Sequence, residues 1–141
     1  MNERVRPGTT PARGADSEAG AASLQTVITY PIVLLLVFGM VQGVIYYHAQ
    51  NTAQSVANGA VQAARVEGGS AEAGHREAAA RIARAGDGVF ASVQVAVDRG
   101  ATQATATVSG LAPSIVPGLR GLRIVQTATG PVERFTSAGA P

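Results

Sequence analysis

Between Glu18 and Arg65 the chain carries no charged side chain, taking His48 as neutral. Inside that interval Leu24–Tyr47, LQTVITYPIVLLLVFGMVQGVIYY, is apolar almost throughout. Wound as a helix it would be about 36 Å long, at about 1.5 Å of rise per residue. The hydrocarbon core of a bilayer is about 30 Å thick, so such a helix crosses it with some tilt. A helix also satisfies its own backbone hydrogen bonds, as a segment surrounded by lipid must. The other home for an apolar helix is a soluble core. Core helices rarely exceed about 14 apolar residues, and a chain of 141 residues leaves little to bury one this long. The stretch therefore predicts a membrane span. Tyr46 and Tyr47 close it where amphipathic rings favour the headgroup layer.

A span this early leaves room for one small domain after it. There is no cysteine, which rules out a disulfide framework and a thiolate metal site. All positive charge is arginine, and the net charge is +2 with a pI near 9.7. These arginines are scattered and lack interleaved aromatics, so the chain is not read as a nucleic-acid binder. Residues 1–20, rich in Gly, Pro, Ala and Thr, are expected to form a disordered leader. Arg4, Arg6 and Arg13 precede the span, and the next arginine is Arg65. That asymmetry predicts a single-pass protein with a cytoplasmic N-terminus and an extracytoplasmic C-terminal domain. A cleavable secretory signal would have an apolar region of about 7–15 residues, shorter than this one.

Pro31 removes one helical hydrogen bond within the span and predicts a kink there. Gly39 and Gly43 form a G-x-x-x-G step, with Gln42 and Tyr46 beside them at helical spacing. Small residues let a second backbone approach, and a glutamine in lipid seeks an interhelical partner, so this face predicts helix association. The helical period continues past the span to residue 67. Ala49, Ala53, Val56, Ala57, Ala60 and Ala64 share one face, against Gln50, Gln54, Asn58, Gln62 and Arg65 on the other. Gly68 and Gly69 end the helix.

Residues 70–135 predict a small extracytoplasmic α+β domain, and residues 136–141 a disordered tail. Ser70 predicts the N-cap of a second helix, with Glu72 favourable in its first turn. The pairs Glu72–Arg76 and Glu77–Arg81 fall at i,i+4, and its thin apolar face is Ala78, Ala79, Ile82 and Ala85. The period then becomes two. Val89–Asp98 and Thr102–Ser109 read as a hairpin about a turn at Arg99-Gly100-Ala101. The run LAPSIVPGLRG, with two prolines and two glycines, reads as an apolar loop, and Leu122–Thr129 as a third strand. The fold class is thus membrane-anchored α+β: a long N-terminal transmembrane helix extending outside the membrane, a short second helix and a three-stranded antiparallel sheet. The extended part of the first helix covers the sheet.

No catalytic chemistry is readable. His48 and His75 are far apart and lack acidic or cysteine partners at metal spacing. No phosphate loop ending in Gly-Lys-Ser/Thr and no G-x-S-x-G elbow occurs. The expectation is a protein that is not an enzyme, with no metal or cofactor, acting by anchoring and association.

Three segments carry a family resemblance. Gly20-Ala21-Ala22-Ser23-Leu24-Gln25 before an apolar span resembles the class III signal of pseudopilins. FGMVQGVIYYHAQNTAQSVANGAVQAARVEG resembles the TadE-like proteins of the tight-adherence (Flp) pilus apparatus, and PSIVPGLRGLRIVQTATGPVERF is similar to their closing segment. The resemblance implies a pilin-like fold and a single-span pseudopilin or minor pilin that assists pilus assembly or secretion. Its implied partners are the membrane, a prepilin-type peptidase, other pilus-assembly membrane proteins or pilins, and a second copy of the chain. It implies cleavage between Gly20 and Ala21. Gln25 stands where pilin-type signals carry Glu, and an amide cannot form their ion pair with a neighbour's amine. Two other readings stay open on the residues alone: a generic bitopic envelope adaptor or sensor, and a binding domain secreted after cleavage by signal peptidase.

Overall fold

A computed structural model describes the backbone of residues 14–133 and side chains from Gln25 to Glu133. The elements are α1 (Gly14–Arg65), α2 (Ala71–Ala85), β1 (Ser92–Arg99), β2 (Gln103–Leu111) and β3 (Arg123–Pro131). The chain divides into two units, Met1–Val37 and Phe38–Pro141.

The first unit contains the start of α1. That helix begins at Gly14 and so takes in residues 14–20 of the expected leader. Alanine and glutamate in this segment favour helix over coil. The remainder of the expected leader lies outside the described residues.

The second unit is a three-stranded antiparallel sheet, order β1-β2-β3, covered by helices. The two periodicities of the sequence decide which residues meet. Ala49, Ala53, Val56, Ala57, Ala60 and Ala64, the stripe expected on α1, are all buried. So are Ala104, Ala106 and Val108, one face of β2, together with Ile124 of β3. Val93, Val95 and Val97 of β1 are half-buried at alternate positions. The opposite sheet face is polar. There Thr105 and Thr129, and Thr107 and Thr127, are in register and share hydroxyl hydrogen bonds of 3.2 and 3.1 Å. Side chains this small on both layers let a helix lie close to a sheet, which larger ones would prevent.

The axis of α1 and the strands match in length. From Tyr46 to Arg65 a helix rises about 29 Å, and the nine residues of β3 span about 30 Å. Two contacts mark the ends. At one end the Glu133 N–H donates to the Arg65 carbonyl at 2.9 Å and its carboxylate lies 3.4 Å from the Arg65 guanidinium. At the other, Gln42 meets the β2–β3 connection.

The second helix is capped as expected, the Ala73 N–H donating to Ser70 Oγ at 3.1 Å. Glu77 accepts from Arg81 Nε at 2.7 Å, while Arg84 lies 3.5 Å from the same oxygen. The Glu72 carboxyl is held below its usual range, first by its own backbone amide, then by Ser70, with Arg76 and His75 adding to the effect. One expectation for this helix fails. Ala79 is exposed, and the buried positions are Gly74 and Ala78. Ala78, Ile82 and Ala85 face inward as expected, and the face extends back to Gly74, where α2 crosses both α1 and β1. A Cβ there would lie 2.7 Å from Val97 Cγ1 and 2.9 Å from the Ala60 carbonyl oxygen.

The strand boundaries also shift. β1 begins at Ser92 rather than Val89 because Ser92 is the residue opposite Leu111, where β2 ends. Val89 and Phe90 pack against the core ahead of the strand. β3 runs past Thr129 to Pro131. Gly130, just past the expected end of the third strand, is buried, with room for a Cβ limited by Val61 Cγ1 at 3.1 Å. Pro131 is tolerated because β3 is an edge strand and needs no N–H there. The tail at 136–141 lies outside the described residues.

Candidate functional site

The long helix α1 is divided between the two units. In the first unit, every residue from Gln25 to Val37 is exposed, including Val27, Tyr30 and Leu35. In the second, Phe38, Met40, Val41, Val44 and Tyr47 are exposed, Met40 at 72%. A helix apolar on every side and buried on none is what a lipid environment stabilises. The most apolar window of α1 has a mean hydropathy of 2.1 and is 0% buried. One long apolar helix near the N-terminus fits a single-pass membrane protein.

Burial on α1 begins within the last turns of the apolar stretch. Gln42, Ile45 and Tyr46 are half-buried and Ala49 is buried. Tyr46 packs against the core, and its hydroxyl accepts from Gln50 Nε2 at 3.2 Å. Gln42 is engaged within the chain at both ends of its amide. Its Nε2 donates to the Pro113 carbonyl at 3.0 Å and its Oε1 accepts from the Ile115 N–H at 3.0 Å.

The face singled out by Gly39, Gln42, Gly43 and Tyr46 is therefore divided. Gln42 and Tyr46 turn to the chain's own loop and core. Gly39 and Gly43 stay open, and a Cβ at either would meet nothing within 4 Å. The space a second backbone would need is present at the glycines, while the glutamine expected to reach across to another helix has its partners at home. Pro31 lies inside α1. Gly20 and Ala21 lie in the helical part of the backbone, and Gln25 is exposed.

Several positions that shape this unit were not singled out from the sequence. Arg99, at the end of β1, donates to the Gly69 carbonyl and approaches the Val66 carbonyl at 3.4 Å. It thereby binds carbonyls of the turn just beyond the end of α1, where the helix C-terminus also favours positive charge. Gly74 admits α2 to the α1–β1 groove, and Pro113 and Ile115 hold Gln42. The only local signal for the last pair was an apolar loop with two prolines, and nothing in it points to a residue so far back in the chain.

Residues 20–65 match the family model described as TadE-like protein. This is the family the sequence resembles, and the match covers the apolar stretch and its continuation to the end of α1. No curated protein and no solved structure matches the chain.

Proposed function

Proceeding from the TadE-like segment at residues 20–65, we propose that the protein is a single-span pseudopilin or minor pilin. It assists assembly of a tight-adherence (Flp-type) pilus or a related secretion apparatus, by anchoring and helix association rather than catalysis. The observation that carries this reading is where the match falls. It takes in the lipid-compatible helix and the alanine stripe that seats the sheet, so the matched segment joins anchor to domain.

In this reading the N-terminus is cytoplasmic, because Arg4, Arg6 and Arg13 precede the span and no arginine follows until Arg65. A prepilin-type peptidase cuts between Gly20 and Ala21, leaving a free amine near the start of the span. Gln25 cannot offer that amine's neighbours a carboxylate, which suits an accessory subunit better than the principal filament subunit. Contacts with other pilins, or with a second copy, use the open Gly39/Gly43 side of α1. The test is deletion in the native host, with complementation by the wild-type chain and by Gly43→Ile. Loss of surface pili on deletion, rescued by the wild type and weakly or not at all by Gly43→Ile, is the expected result. Normal pili in the deletion strain would refute the assignment.

A further inference from the structure

The connection between β2 and β3 is apolar and exposed, yet well built. The Ala112 N–H donates to the Leu122 carbonyl at 2.9 Å and closes its base. Inside it the Leu119 N–H donates to the Val116 carbonyl at 3.2 Å, and the Val116 N–H to Ser114 Oγ at 3.2 Å. Gly118 takes a positive φ of 80° at the turn. Ile115, Leu119 and Leu122 are nonetheless exposed, Leu119 at 62% and Leu122 at 48%.

The position of the loop is set by Gln42, through the two 3.0 Å hydrogen bonds to Pro113 and Ile115. Gln42 lies five residues before Tyr47, roughly 7.5 Å back along the helix axis into the apolar stretch. Val41 and Val44, its neighbours on α1, are exposed as well. If α1 spans a bilayer, the loop stands beside it at the level of the headgroups and first acyl carbons.

We propose that residues 113–122 form a second membrane contact, seated in the headgroup–acyl boundary of a phospholipid bilayer with Ile115, Leu119 and Leu122 against the acyl chains. The occupant is lipid because the exposed apolar loop is held to Gln42, between the exposed Val41 and Val44 of the apolar end of α1. Its level agrees with the roughly 5–10 Å at which interfacial segments settle. The polar groups agree too. A glutamine amide and a bare backbone N–H and carbonyl are costly to remove from water, and here they satisfy one another. Arg120 and Arg123 are exposed beside the apolar residues. Their stems can lie over acyl chains while the guanidinium groups meet lipid phosphates. The contact would fix the tilt of the sheet unit on the membrane, holding it to the surface at a second point beside the helix.

The chain has no cysteine, so single cysteines can report on this directly. Leu119→Cys, Thr127→Cys on the outer sheet face and Leu36→Cys in the span would each carry an environment-sensitive fluorophore. The full chain would be reconstituted in phosphatidylcholine–phosphatidylglycerol vesicles. Shallow nitroxide lipids should quench the Leu119 probe several-fold more than the Thr127 probe, and aqueous iodide should show the reverse order. If Leu36 is quenched by lipid while Leu119 behaves like Thr127, the anchor stands and this proposal is overturned. A Leu119 probe shielded from both quenchers would mean a protein surface covers the loop, which also overturns it. Lack of lipid quenching at Leu36 would remove the span and the loop contact together.

Discussion

Replacing Gln42 by leucine separates two roles that a glutamine in an apolar helix can play. The structure commits both ends of its amide to the chain's own loop, at 3.0 Å to the Pro113 carbonyl and 3.0 Å from the Ile115 N–H. A typical hydrogen bond contributes about 0.5–1.5 kcal/mol net, so losing two costs the loop about 1–3 kcal/mol. Taking about 2 kcal/mol and a factor of ten per 1.4 kcal/mol, local opening should become roughly thirty-fold more frequent. Leucine would at the same time make the span more apolar, which acts on insertion and not on the loop. The assay must therefore be local. Amide hydrogen exchange of the full chain in lipid nanodiscs should show protection at Ile115 falling by that factor. Protection in β2 beyond Ala106, held by its ladder to both neighbours, should stay unchanged. In-membrane cross-linking should persist, since Gly39 and Gly43 are untouched. Unchanged exchange at Ile115 together with lost cross-linking would refute the reasoning, because Gln42 would then be serving another helix.

Three further outcomes follow from the packing and the caps. Gly74→Val should destabilise the sheet unit by about 1–3 kcal/mol of overpacking and so lower its thermal midpoint in detergent, since even a Cβ would stand 2.7 Å from Val97 Cγ1; an unchanged midpoint would mean α2 does not cross there. Ile124→Ala, removing one of the largest fully buried side chains, should cost about 2–5 kcal/mol in denaturant unfolding, and a loss below this range would show that the alanine-rich core closes over the gap. Glu72 is depressed below its usual range by its own backbone amide and Ser70. Its contribution is therefore present at neutral pH, above the unfolded carboxyl value, and is lost as pH falls through the lower folded value. Glu72→Gln should flatten that part of the melting-temperature profile, and an identical acid limb in the variant would show that the carboxylate is not coupled to folding.

Much of this protein was determined by local sequence alone. An uncharged run from Leu24 to Tyr47 is long enough to span a bilayer whatever surrounds it. The alanine stripe from Ala49 to Ala64, the cap at Ser70 and the alternation in β2 follow from periods of 3.6 and two, which are properties of the backbone. The resemblance to TadE-like proteins was readable in part for the same reason: two of its three segments begin or lie on α1, where the family match covers residues 20–65, while the third, from Pro113 to Phe135, lies outside that match. Tertiary structure decided the rest, where the outcome depends on residues distant in sequence. Gln42 looked available to another helix because nothing near it in sequence could satisfy it; its partners are 71 and 73 residues on. Gly74 and Gly130 carry no local signal of their role, and each is a place where a neighbouring layer comes within reach of a Cβ. Ala79 and Gly74 could not be ranked from the pattern, because the inward line of α2 is set by its crossing with α1 and β1. A periodicity names a face, but which neighbour that face meets, and which polar group it satisfies, is settled only when the layers pack.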